Sequence, residues 1–557
     1  MSTSTPTDAT SPFMNFVNKL VKFIYVVFLI IVFPLYLYIN LPVLNPWFIG
    51  LPIGIFFISL VIVGLELRVI NKKKTLLFKL ASLVSLLTIA YIMIVSLMSW
   101  EGFRAMKYQG LIGEVKLSEN FAEEVPPVDL EEIRIVDQEV AHRLGDKVLG
   151  EELPGEERML GSQAYVGDFR IQNVNGKLYW VAPLLHSGFF KWFNNREGTP
   201  AYIKVSATAN PEVELVSDVK IKYQPEAYFN SNLHRHLYLN GYLNTGLTDY
   251  TFEIDDEGNP YWVVTLYSHE VGFSGMNAYG VAVVNASTGD IQKYTPETAP
   301  AWIDRIQPMD MVEEQLEYWG EYIHGYWNFS NLDKKTTTKG MSLVYGKDDQ
   351  SYWYTGLTSV GQEEGTIGFV LVNTRTKETT RYKQVGATEE AARRSAMGKV
   401  QEKKYIGSFP ILYNINNVPT YVLSLKDQAG LIKMVAMVSV RDHSIVGVGE
   451  TLEEALRAYR GGRTNDKKEG NYQVYGRIDR IQSGLIDGKM VYYFTLDKYP
   501  NKVFKSESIV SPKFPITAIK DSVMVAYDDG RSEFVPVAKF DNLDIKTQKT
   551  QSIELGK

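Results

Sequence analysis

One pattern of apolar and polar positions recurs along the chain. Asn259–Leu266 reads as a strand, and Gly280–Val284 as a second strand running into the polar turn Asn285-Ala286-Ser287-Thr288-Gly289-Asp290. Leu178–Ala182 is followed in the same way by Ala201–Ser206, Tyr352–Tyr354 by Gly368–Thr374, and Thr420–Leu425 by Val435–Val440. Anchored on Tyr179, Tyr261, Tyr352 and Tyr421, the repeat is roughly 80 residues long, beyond the 20–50 of solenoids. Each unit is therefore expected to be a small module. Helical spacing precedes the strands: Leu130, Ile133, Val136, Val140, Leu144 and Val148 share one face over Asp129–Gly150. Met309–Tyr326, Thr388–Lys404 and Thr451–Tyr459 read likewise. The expected fold class is α+β, with one pair of modules over 129–300 and a second over 301–460.

Ahead of the modules lie a tail, 1–22, and three apolar segments within 23–100, at about Phe23–Ile39, Trp47–Leu65 and Leu80–Trp100. Each approaches the ~20 residues that cross ~30 Å of hydrocarbon, so three transmembrane helices are expected. Their middles carry no ionisable group, which points to an anchor and not to an ion path. Arg68, Lys72, Lys73, Lys74 and Lys79 follow the second segment, and Lys19 and Lys22 precede the first. By the positive-inside rule both regions are cytoplasmic, which puts the N-terminus inside and the soluble C-terminal region outside the cell membrane.

After the modules, 461–470 is charged and glycine-bounded, as a linker is. Residues 471–540 read as five short strands with Asp487-Gly488 and Asp529-Gly530 turns, the pattern of a small OB-like β-barrel. A polar tail, 541–557, ends the chain. The order helix, strand, Tyr-Trp strand, then a strand closing in Val284-Asn285-Ala286-Ser287-Thr288-Gly289-Asp290-Ile291 resembles the PepSY family of extracytoplasmic modules, over about 129–459. Val372–Lys377 departs from that ending by placing Lys377 at the glycine position, and Val440–Ser444 departs further. The resemblance implies a link to the cell envelope and to binding or inhibiting peptidases, and it carries no catalytic residue.

Composition narrows the chemistry. The 557 residues are 45% hydrophobic and 22% charged, with a net charge of -6, so no nucleic-acid partner is expected. Cysteine is absent, which removes thiol catalysis, disulfides and cysteine-based zinc sites. His234 and His236 would share a face in a strand and could hold a metal with a third ligand, but a polar loop or helix start is the plainer reading. Asp255-Asp256-Glu257-Gly258-Asn259 lacks the spacing of a calcium loop. No nucleophile elbow, phosphate loop or dinucleotide fingerprint occurs. Neither catalysis nor a cofactor is expected. The Tyr179-Trp180, Tyr261-Trp262 and Tyr352-Trp353 pairs are the candidate interaction surface, since neighbours in a strand point to opposite faces. The expected function is a membrane-anchored, homo-oligomeric structural or assembly protein of the cell envelope, with the lipid bilayer and further copies as partners. The alternative is a regulator that binds a peptidase or another envelope enzyme.

Overall fold

A computed structural model describes residues 33–67, 76–118, 121, 125–150, 160–208, 211–346, 350–361, 365–463, 472–486, 489–507, 510–527 and 534–545, with isolated positions before 33. The N-terminal tail, the basic loop at 68–74, most of the linker, the two Asp-Gly turns and most of the polar tail lie outside the described residues.

The chain divides into two compact units, the second beginning at Ile445. Three expected spans are corrected to one. Among the described residues only Leu76–Met98 is long and apolar enough to cross a membrane. Gly50–Leu65 has 16 residues, about 24 Å at 1.5 Å per residue, short of ~30 Å of hydrocarbon. The second apolar segment is shortened at its start, where Trp47, Phe48 and Ile49 form a turn and the helix begins only at Gly50. Of the first segment, Phe33–Asn40 forms an 8-residue helix, and most of 23–32 lies outside the described residues. Gly50–Leu65 packs along Leu76–Met98, where the Ser59 and Ser85 hydroxyls meet at 2.7 Å.

The rest of the first unit, called the body below, is mostly β, which corrects the α+β class. Its first sheet centres on Lys177–His186, flanked by Ala164–Val166, Arg170–Val174 and Tyr202–Ser206, with Val213–Val216 outermost. The second orders Ile291–Tyr294, Ser274–Asn285, Pro260–Val271 and Gly246–Ile254. The third runs Val115–Ser118, Thr379–Tyr382, Gly368–Asn373, Ser351–Ser359 and Lys335–Thr337, with Ser342–Tyr345 also on Ser351–Ser359. Val115–Ser118 joins it in parallel with Thr379–Tyr382. The fourth centres on Val418–Lys426 beside Ile432–Ser439.

Each Tyr-Trp strand is thus central in its sheet, but the modules are not beads. Trp180, Ala182 and Leu184 share a core with Val312, Leu316, Trp353 and Val370, whereas Val181 and Leu185 face Phe252, Trp262 and Val264 of the second sheet. Val263, Val281 and Val283 turn the other way, onto Ala299, Ile303 and Ile306. Strands buried on both faces read as unbroken apolar runs. Neighbouring units therefore complete one another's cores.

One hydrogen-bond device marks the repeat. The amides of Ile135 and Val136 both donate to Ala207 O, those of Lys222 and Tyr223 to Ala286 O, and those of Ile306 and Gln307 to Thr374 O. The Trp180 and Trp353 indoles add a bond each, to Val136 O and Gln307 O at 2.8 Å. In these three units the carbonyl after the closing strand thus pins the chain just ahead of the unit's own helical segment. Three helices are shorter than the sequence pattern: Gln138–Val148, Met309–Glu321, which starts as expected but stops early, and Glu389–Lys399, capped by Thr388 Oγ1 accepting from Ala391 N.

The second unit contains the helix Leu452–Arg463, against which Gly447 and Gly449 lie so close that an added Cβ would fall 2.1 Å from Tyr459 N and 2.4 Å from Ala455 N. Beyond it, Tyr472–Ile486, Lys489–Leu496, Tyr499–Glu507, Phe534–Asn542 and Ser522–Tyr527 close, in that order, into a five-stranded barrel. Phe494, Phe504, Phe514 and Phe540 fill it.

Candidate functional site

Gly246–Ile254 is an edge strand with a bulge. Its register with Pro260–Val271 shifts between Thr248 and Tyr250, and Asp249 stands there at φ 45°. A non-glycine residue in that region is strained by about 1 kcal/mol or more, and bulges re-aim side chains beside functional sites. The Asp249 carboxylate lies 3.9 Å from the Arg170 guanidinium.

Deeper on the same strand, Glu253 is wholly buried. Its Oε1 accepts from Thr251 Oγ1 and from Arg305 Nη2, both at 3.2 Å. Arg305 is 5% exposed. Glu253 Oε2 and Arg305 Nε have no protein partner, an arrangement that costs free energy unless a ligand or water completes it. Burial pushes the Glu253 carboxyl up and Arg305 pulls it back. Burial likewise works against the Arg305 charge, but Glu253 and Asp249 outweigh it and keep the guanidinium protonated. Next in sequence, Asp304 accepts from Asn173 N at 3.0 Å and from the Tyr345 hydroxyl at 2.9 Å. Burial, followed by the charge of Glu253, drives its pKa up to about 7.

Arg170, Asp249 and Arg305 line a cavity of about 270 Å³, closed by Met276, Met309, Met311 and Trp353 and bordered by Asp310 at the start of helix Met309–Glu321. Two guanidiniums beside two carboxylates, within thioether and indole walls, suit a segment bearing both signs of charge on an apolar stem.

The residues singled out in the sequence fall elsewhere, with one exception. Trp180, Trp262 and Trp353 are 7%, 4% and 6% exposed, core residues that present no open ring, although Trp353 also walls the cavity. Tyr179, Tyr261 and Tyr352 are half-buried: Lys204 Nζ stands over Tyr179, Tyr261 packs on Trp302, and the Tyr352 hydroxyl donates to Gln350. His234 and His236 sit on the short helix Leu233–Leu237 and not on a strand, and His236 Nε2 donates to Gly289 O at 2.7 Å. Among the described residues no group of three or more His, Asp or Glu is placed to hold a metal ion. Asp249, Glu253 and Arg305 escaped sequence reading. The available signal was Trp302-Ile303-Asp304-Arg305-Ile306, adjacent opposite charges inside an apolar run.

No protein-family model and no curated protein matches the chain. Among solved structures it is similar to a GH43_1 enzyme from Xanthomonas citri, at 10% identity over 59% of this chain and 82% of that one with a TM-score of 0.16. It is also similar to a sialidase, at 12% identity over 70% of this chain and 34% of that one with a TM-score of 0.18. Both are named as enzymes, and on that finding the expectation that the chain is not an enzyme is withdrawn. At such TM-scores the likeness brings neither fold nor activity across.

Proposed function

We propose that the chain is a membrane-anchored assembly protein of the cell envelope, its body held outside the membrane and joined to further copies of itself. One observation carries the reading: the chain leading into the apolar helix pair and the residue just after it are fastened to the body by several hydrogen bonds. Leu44 N donates to Leu243 O at 2.6 Å, Tyr238 OH to Pro42 O at 2.9 Å, His269 Nδ1 to Trp47 O at 3.1 Å, and Phe273 N to Ser99 Oγ at 2.8 Å. These contacts fix a rigid body on one end of the helix pair. The basic residues Arg68, Lys72, Lys73 and Lys74 join the helices at their other end in the sequence, which favours an extracytoplasmic body.

The test is the mass of the full-length protein in mild detergent, by light scattering or native mass spectrometry. A large homo-oligomer is expected; a bare monomer overturns the reading. A monomer carrying a second protein at fixed stoichiometry favours the envelope-enzyme regulator that the PepSY resemblance implies. The cavity at Arg170 and Arg305 supports that second reading, because a recessed, charged site fits a partner's chain segment.

A further inference from the structure

We propose that two exposed aromatic clusters of the body sink into the headgroup layer of the same bilayer, so that the body lies down on the membrane instead of standing clear of it. The inference rests on the anchor reading above and adds a lipid-binding surface to it.

The first cluster is Phe189, Phe190 and Phe193, on the helix Phe189–Asn194, together with Phe229. Phe190 is 78% exposed, and the rings are held from beneath by Trp192 and Tyr228, with Phe189 5.1 Å from Tyr228 and Trp192 5.6 Å from Phe229. Phe229 stands at φ 50°, a conformation costly for a bulky side chain. Arg235 holds it there by donating to Phe229 O at 2.9 Å. The second cluster is Phe103, Trp327 and Phe329, the last 78% exposed, gathered round Trp100. Soluble surfaces rarely gather so many open aromatic rings.

Continuity with the anchor names the occupant. The first cluster is tied to the short apolar helix Phe33–Asn40, where Arg235 Nε donates to Tyr38 O at 3.1 Å and stacks over the Tyr38 ring. The second surrounds Trp100, two residues past the end of Leu76–Met98. Tyr91 OH donates to Pro46 O at 2.9 Å and Phe273 packs on Tyr91, so both ties leave the helix pair at the same end. Cations border the rings: Arg196 stands 4.2 Å over Phe193, and Arg104 and Lys107 share the helix Glu101–Gln109 with Phe103. Aromatic rings at the depth of the headgroups with cations reaching phosphate are the arrangement of interfacial anchors.

The absence of cysteine makes the test direct. Single-cysteine variants F190C, F329C, L87C and K404C of the full-length protein, each carrying one fluorophore, are reconstituted into phosphatidylcholine–phosphatidylglycerol vesicles. L87C reports the long apolar helix and K404C an exposed site of the body. The expected result is quenching of L87C by lipids brominated deep in the acyl chain, with F190C and F329C quenched by headgroup-labelled lipid and several-fold less open to iodide than K404C. Quenching of L87C with F190C and F329C as open to iodide as K404C overturns the lipid surface alone. An unquenched L87C overturns the anchor reading and the inference with it. Iodide protection at F190C and F329C that persists without lipid and grows with protein concentration assigns the clusters to a second copy, and likewise overturns it.

Discussion

Arg305→Met removes the cation paired with Glu253 and leaves a carboxylate at 0% exposure with, among the described residues, Thr251 Oγ1 as its remaining donor. Breaking a buried pair from one side costs about 3–5 kcal/mol, because the surviving charge keeps its desolvation penalty. Replacing both partners by apolar groups of like volume is close to neutral. Arg305→Met should therefore destabilise the first unit by about 4 kcal/mol at pH 8, and the Glu253→Met/Arg305→Met double variant should recover at least about 2 kcal/mol of it. The loss has a pH signature. Without Arg305 the folded pKa of Glu253 rises further above its unfolded value, so the folded state binds the extra proton between the two. Stability then falls as pH rises through that window, and the variant is weakest at pH 8 and recovers toward pH 5. The assay is urea unfolding of the full-length protein in mild detergent, followed by circular dichroism and tryptophan fluorescence at both pH values. Single-variant costs that add to the double-variant cost within about 0.5 kcal/mol would refute the coupling.

Asp304, folded pKa about 7 against ~4 unfolded, should lower stability by about 4 kcal/mol as pH rises across that interval. Asp304→Asn should flatten the slope, read as urea midpoints at pH 4, 5.5 and 8; an unchanged slope contradicts the assignment. Thr388→Ala removes the cap on Ala391 N and should cost about 1 kcal/mol, measured by the same unfolding; a cost below about 0.3 kcal/mol would mean that the cap is replaced. Gly320→Ala places a methyl 2.1 Å from Lys335 O and should cost about 1–3 kcal/mol, checked by the thermal midpoint; no shift would mean that Lys335–Thr337 moves freely.

The repeat was legible because its signal is local: Tyr-Trp strands centre the sheets, and the turns after them carry matching asparagines. Asn285 Oδ1 accepts from Ser287 N and Thr288 N, and Asn373 Oδ1 from Arg375 N and Thr376 N. Lys377 takes the glycine place at φ 65°, stabilised by Nζ donating to Leu111 O and Asn277 Oδ1 at 2.7 and 2.6 Å. The sharing of cores was not legible, since an apolar run such as Val181–Leu185 gives no sign of which neighbour covers each face. The spans were over-read because apolar composition does not show where a helix starts: Trp47, Phe48 and Ile49 are apolar yet form a turn, which leaves Gly50–Leu65 with 16 helical residues. The site was missed because it depends on a bulge at Asp249 that breaks the strand period without any glycine or proline to mark it. Tyr and Trp drew attention in the strands, whereas the open rings stand at Phe189–Phe193, Phe229 and Trp327–Phe329, whose exposure depends on tertiary packing.

The parallel pairing of Val115–Ser118 with Thr379–Tyr382 constrains how this protein can be made. The strand nearest the membrane helix leaves the ribosome first and waits for a partner more than two hundred residues downstream. At ~5–20 residues per second that wait is tens of seconds, with the strand's polar edge open and the intervening sheets forming beside it. Biogenesis therefore cannot proceed strictly from the N-terminus outward: the third sheet, whose first strand is made before either of the first two sheets, is completed only after both, by a returning chain. A nascent protein stalled before residue 382 should remain prone to capture by strand-binding chaperones.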